Sequence, residues 1–144
     1  TQSTRNPGVA GAFVAGVPGP TQAAKIIDGL SKTSLVCEKY IRYDLYPGGA
    51  PSDDRGWADG WDPDTMRCPC IPPLNDNQVD AQFVAAPPAA GPPWETLVIG
   101  SAHVGGPNLV FADGSVHTVN YDVDVFVFNA LGTRNGGEAL STAL

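Results

Sequence analysis

Asp113-Gly114 stands between two apolar runs, Leu109–Ala112 and Val116–Val119. A tight reversal between strands needs positive φ, which Gly adopts freely and Asp tolerates. An Asp-Gly pair between apolar runs therefore specifies a β-hairpin. With a two-residue loop, Phe111 faces Val116 and Leu109 faces Thr118, while Val110, His117 and Val119 share the other side. A longer, bulged turn shifts this register by one residue. Both sides carry apolar groups, so the sheet is expected to be covered at least partly on both faces. A helical segment follows, from about Asp122 to Leu131, with Gly132 where a left-handed C-cap belongs.

The rest of the chain is short of long regular elements. It holds 17 Gly and 14 Pro among 144 residues, which favours turns and loops. Its hydrophobic fraction of 42% still suffices for one core, and one domain is expected at this length. Residues 1–20 read as an irregular lead-in with a short strand at 12–14. Asp28 is placed to N-cap a short helical turn. Leu35 to Ile41 mixes β-branched and aromatic residues with charges and reads as a strand. Residues 47–73 and 74–93 are loop-like, with brief strands at 64–68 and 82–85. Thr96–Ile99 is a short apolar run. These features predict an α+β, β-dominated fold, an antiparallel sheet with long Pro- and Gly-rich loops and short helices.

The formal net charge of -7, with only eight Lys and Arg, argues against a nucleic-acid partner and against docking on an anionic membrane. No apolar run approaches the length of a transmembrane helix. No signal peptide is visible and the first residue is not Met, which reads as a processed or truncated product. Cys37, Cys68 and Cys70 make an odd count. A bond within Cys68-Pro69-Cys70 closes a very small ring, so pairing of Cys37 with one of them is the expectation in an oxidising compartment. Buried thiols and, with His103 and His117 as further ligands, zinc are the competing readings.

His103 is the residue most open to an enzymatic reading, with Asp113 as its carboxylate and Ser101 or Ser115 as nucleophile. No Gly-x-Ser-x-Gly elbow or phosphate loop accompanies it. The simpler reading makes His103, Asp113 and Gly114 a structural motif whose polar atoms satisfy turn backbone, with no catalytic residue in the chain. Gly105-Gly106 reads as a turn, and Arg134-Asn135-Gly136-Gly137 as a chain-ending turn. Between Asp53 and Asp64 five carboxylates fall within twelve residues. Such oxygen density suits calcium, with Asp54, Asp59, Asp62 and Asp64 as ligands, although the EF-hand pattern is missing. A solvated acidic loop with Arg55 and Arg67 as counter-ions is the alternative. Trp57 and Trp61, near Tyr43 and Tyr46, could stack on sugar rings or cover a loop-rich core.

His103, nine residues and Asp113-Gly114 resemble the H-x9-DG signature of the DUF1559 family, which is abundant in planctomycete bacteria. The run Leu131-Gly132-Thr133-Arg134-Asn135-Gly136-Gly137-Glu138 is similar to that family's terminal LGTRxGGE element. Residues Ile27 to Thr33, followed by Cys37-Glu38-Lys39-Tyr40, resemble its ITDGLSNT…GEKY element, with Cys37 in place of the usual Gly. Gly60-Trp61-Asp62 and Arg67 resemble its GWD…R region. Four motifs in order cover roughly residues 8–140.

The resemblance implies a pilin- or pseudopilin-like head lacking the prepilin leader and long N-terminal helix of family members. It implies a structural subunit or surface protein of a cell-surface filament, extracellular or at the cell surface, and not an enzyme. Its partners would be identical subunits or an upstream N-terminal fragment, with membrane attachment only through the absent helix. Leu109, Phe111 and Val116 are the candidate apolar face for such a partner. Calcium in a head loop, known for some major pseudopilins, is carried over as a possibility. The competing class is an extracellular carbohydrate- or peptide-binding module using Trp57 and Trp61.

Overall fold

The computed structural model describes residues 21–48, 50, 53–54, 64–78 and 97–137. Among the described residues the regular structure is β1 (Ser34–Cys37), β2 (Leu74–Asn75), β3 (Gly100–Ser101), β4 (Asn108–Phe111), β5 (Val116–Thr118) and α1 (Val125–Ala130). Single 3₁₀ turns occupy Ala23–Lys25, Leu30–Lys32 and Tyr43–Leu45. The fold is α+β and strand-rich, with a three-stranded antiparallel sheet in the order β1-β4-β5 and a parallel pair β2-β3.

The hairpin forms where the Asp-Gly pair requires it, but with the longer turn. Phe111 N–H donates to the Ser115 carbonyl and Gly114 N–H to the Phe111 carbonyl, each at 2.9 Å. Gly114 has φ +86°, the left-handed conformation that closes a bulged turn. The register pairs Leu109 with His117 and Val110 with Val116, one residue from that of a two-residue loop. Asp113 stabilises the turn by accepting from Ser115 N–H at 2.9 Å and from its hydroxyl at 2.6 Å.

This shift decides which residues face inward. Leu109 and Phe111 are buried, whereas Val116 is 60% exposed. The expected common face of Leu109, Phe111 and Val116 is therefore corrected. Val116 lies on the opposite side, in a row with Val110 and its β1 partner Val36.

The core is Ile99, Leu109, Phe111, Val119, Phe128 and Leu131, with Cys37 and Val123 packed against it. α1 supplies Phe128, and the residue after it supplies Leu131, so this short segment covers the inner face of the sheet. Its Val-Phe-Val-Phe sequence is a modest helix former. A cap compensates, since Asp124 accepts from Phe126 N–H at 2.8 Å and Val127 N–H at 3.2 Å. Burial of large side chains such as Phe128 contributes about 1.5–3 kcal/mol each.

Five local expectations are corrected. The helix starts at Val125, not near Asp122, because Asp124 is the cap. Gly132 does not adopt positive φ; a Cβ there would collide with the Pro69 ring, so close approach of two segments explains the glycine. The 3₁₀ turn at Leu30–Lys32 is preceded by Gly29, not capped by Asp28. β1 ends at Cys37, and the segment beyond continues as an isolated bridge from Lys39 to Ile99. The expected brief strand at 64–68 reduces to one bridge, Cys68 to Val98. Those at 12–14 and 82–85 lie outside the described residues.

The cysteine expectation is also overturned. Cys68 and Cys70 are bonded to each other across a turn at Pro69, with Cα atoms 5.1 Å apart, an ordinary span for a disulfide. Cys37 is a free thiol. Its side chain packs into the core, and burial pushes its pKa up to about 11, against the lowering effect of Arg67.

Candidate functional site

β1 and β4 lie side by side, which places Glu38, the residue after β1, beside Asn108 at the start of β4. Glu38 N–H donates to the Asn108 carbonyl at 3.2 Å, and Asn108 N–H donates to Glu38 Oε2 at 2.8 Å. The same carboxylate meets His103, with Nε2 3.2 Å from Oε1. Ser101, buried on β3, also hydrogen-bonds Glu38 and accepts from His103 N–H at 3.1 Å. Partial burial works against ionisation of Glu38. The donors on Asn108 and Ser101 and the nearby His103 ring outweigh it and hold the carboxyl below the ordinary glutamate range.

The His103 carbonyl is held as firmly as its ring. It accepts from the Tyr121 hydroxyl at 2.5 Å and from Asn75 Nδ2 at 3.1 Å. Asn75 Nδ2 also donates to the Tyr121 oxygen at 3.1 Å. Next to Asn75, the buried Asp76 accepts from Ile41 N–H at 3.2 Å and from the Tyr46 hydroxyl at 2.5 Å. That bond to a carboxylate, with some burial, pushes the Tyr46 phenol up to about 12. The β2 turn, the β1 continuation and the His103 loop are thus one hydrogen-bonded unit.

A second unit joins the two ends of the described fold. Asp28 accepts from Gly136 N–H at 2.8 Å, Gly137 N–H at 2.9 Å and the Thr133 hydroxyl at 3.2 Å. Ile27 N–H donates to the Arg134 carbonyl at 2.8 Å, and Ser34 N–H to the Leu131 carbonyl at 2.8 Å. The hairpin tip docks on the same element, with Ala112 N–H donating to the Thr33 carbonyl and Asp113 N–H to the Leu30 carbonyl. The motifs read separately along the sequence therefore pair in space. Glu38 joins the CEKY element to His103, and Asp28 joins the DGLSKT element to LGTRNGG.

His103 and Asp113 do not meet. Asp113 bonds Ser115, whose hydroxyl lies 3.1 Å from His117 Nε2. In this order the serine proton is given to the carboxylate. A nucleophile relay instead needs the carboxylate on the far side of the histidine. The Asp113 carboxyl is lowered by its Ser115 bonds, and it sits on an exposed hairpin tip. His103 itself is 62% exposed and engages Glu38. The Asp113 carboxylate acts on neighbouring backbone, whereas the His103 ring engages a side-chain carboxylate.

Of the acidic loop, Asp54 is exposed and Asp64 buried. Asp59, Asp62, Trp57 and Trp61 lie outside the described residues. Among the described residues no group of three or more His, Cys, Asp or Glu side chains is placed to hold a metal. Burial lowers the Arg67 pKa, while the charges of Asp64 and Asp53 act in the opposite sense. Lys39 pairs with Asp53.

Val36, Val110 and Val116 form an apolar row on the outer face of the described sheet, with Val36 61% and Val116 60% exposed and Val110 half-buried between them. The reading of the sequence missed Glu38, Asn75, Tyr121 and this row. The quoted CEKY element did contain Glu38, but its partner Asn108 becomes visible only once β1 is paired with β4.

The sequence model of the family described as "Protein of unknown function (DUF1559)", SBP_bac_10, matches residues 1–125. The chain belongs to that family. The LGTRNGG element lies beyond the matched stretch. No curated protein and no solved structure shows significant similarity to the chain.

Proposed function

We propose that this member of the DUF1559 family is the structural head of a type IV pilin- or pseudopilin-like protein, displayed at the cell surface or outside the cell, and not an enzyme. The observation that supports this reading is where the chain spends its polar and apolar groups. The motif side chains Asp28, Glu38 and Asp113 accept from backbone amides, as scaffold residues do. In the valine row across β1, β4 and β5, Val36 and Val116 are turned to solvent. An apolar row of that kind suits contact with identical subunits or with an upstream helical fragment. Microscopy of filaments sheared from producing cells should show the chain in a repeated, symmetric array. A chain that stays monomeric at every concentration and is missing from such filaments overturns the reading.

A second reading is an extracellular carbohydrate- or peptide-binding module. Tyr43 and Tyr46, each 55% exposed, favour it as ready stacking surfaces. Retention on a glycan column, lost on replacing Trp57, Trp61 or Tyr43 by Ala, would decide for it. Calcium in the loop from Asp53 to Asp64, with Asp54, Asp59, Asp62 and Asp64 as ligands, belongs to the same set of proposals. Its test is a melting temperature that rises with added calcium and falls with a chelator. An unchanged melting curve removes the metal.

A further inference from the structure

Asn135-Gly136 is the sole Asn-Gly pair in the sequence. An asparagine followed by glycine is chemically exposed, because no Cβ shields the next backbone nitrogen. In the reaction that nitrogen loses its proton and bonds to the asparagine Cγ. The bond from Cγ to the amide nitrogen Nδ2 breaks, and ammonia leaves with a proton. Water then opens the cyclic imide at either carbonyl, giving aspartate or isoaspartate. No oxidant or reductant is involved.

The nitrogen concerned is engaged in this fold. Gly136 N–H donates to Asp28 Oδ2 at 2.8 Å, and the next amide, Gly137 N–H, donates to Oδ1 at 2.9 Å. The Thr133 hydroxyl fixes the carboxylate from a third direction at 3.2 Å. On the other side of Asn135, the Arg134 carbonyl accepts from Ile27 N–H at 2.8 Å and from Asp28 N–H at 3.2 Å. We propose that Asn135 is a latent deamidation site and that the Asp28 carboxylate holds its reaction in check.

Two physical effects act together. A hydrogen bond to a carboxylate is a strong one, and it retains the proton that must leave. The negative charge beside Gly136 also disfavours the amide anion that attacks. Opening of the clasp removes both. The product cannot simply re-form the clasp, because it carries a new carboxylate close to that of Asp28, and isoaspartate adds an atom to the backbone. The modification would therefore make a reversible opening permanent.

The test is to incubate the full chain, folded, in mildly alkaline buffer and follow the amide-to-acid mass change at residue 135 by peptide mapping. Asp28→Ala should deamidate at residue 135 about tenfold faster than the unmodified chain, the size expected for loss of a hydrogen bond to a charged group. Circular dichroism and melting establish whether the variant folds. If it does not, Asp28→Glu decides, because it keeps the charge and displaces the oxygens from both amides; it too should react faster. An unchanged rate at residue 135 in the variant that folds overturns the proposal. So does a folded parent chain that deamidates as fast as the same chain in urea.

Discussion

Glu38 Oε1 lies 3.2 Å from His103 Nε2, although 65 residues separate them in the chain. The same carboxylate holds the Asn108 amide through its other oxygen at 2.8 Å. The two contacts are unequal. The first is a solvent-exposed pair, the second a bond to partly buried backbone.

Glu38→Ala should accordingly destabilise the fold more than His103→Ala. Loss of the Asn108 acceptor costs about 1–3 kcal/mol, towards the lower end because Glu38 is partly exposed. Loss of the histidine pair costs about 0–1 kcal/mol. Chemical denaturation of both variants checks the order. A larger loss for His103→Ala contradicts the assignment of Glu38 as the hub.

Acid should weaken the fold through Glu38 in a definite direction. Its folded pKa is lowered, so its stabilisation is fully present above the ordinary glutamate value. It is lost as pH falls through the lowered folded value. Glu38→Gln should flatten the fall in melting temperature over that acidic interval. A parallel acid profile for parent and variant would count against the linkage.

Cys37 should be nearly inert in the folded chain. A thiol pushed up to about 11 holds little thiolate at neutral pH. Labelling by iodoacetamide should therefore be slow in buffer and rise sharply in denaturant. Fast labelling of the folded chain would show that the thiol is not packed as described.

Val36→Thr and Val116→Thr should change monomer stability by no more than about 0.5 kcal/mol, as expected of exposed positions. If the valine row is a contact surface, the same substitutions should reduce self-association measured by light scattering. Equal destabilisation and no change in association would make the row an ordinary strand surface.

How much of this was legible in the sequence differs by element. The hairpin was, because Asp113-Gly114 is a local signal. Its register was not, since two- and three-residue loops share that signal and differ only in where Gly114 falls. His103 stood out in the sequence through its spacing to Asp113-Gly114, but its partner Glu38 depends on pairing between distant strands. Cys68–Cys70 was misjudged because the reading weighed ring size and could not weigh the turn at Pro69. Asp28 was read as a cap because caps are local, whereas its partners Gly136 and Gly137 lie more than a hundred residues on.

That last distance has a consequence for how the chain reaches its fold. Ser34 is bound to the Leu131 carbonyl across 97 residues, and Thr33 to the Thr133 carbonyl across 100. Phe128 and Leu131, which complete the core, are among the last described residues to leave a ribosome. Without them Leu109 and Phe111 lack part of their core cover. Native packing therefore waits on segments far apart in the chain, and closing so long a loop makes it slow compared with local structure.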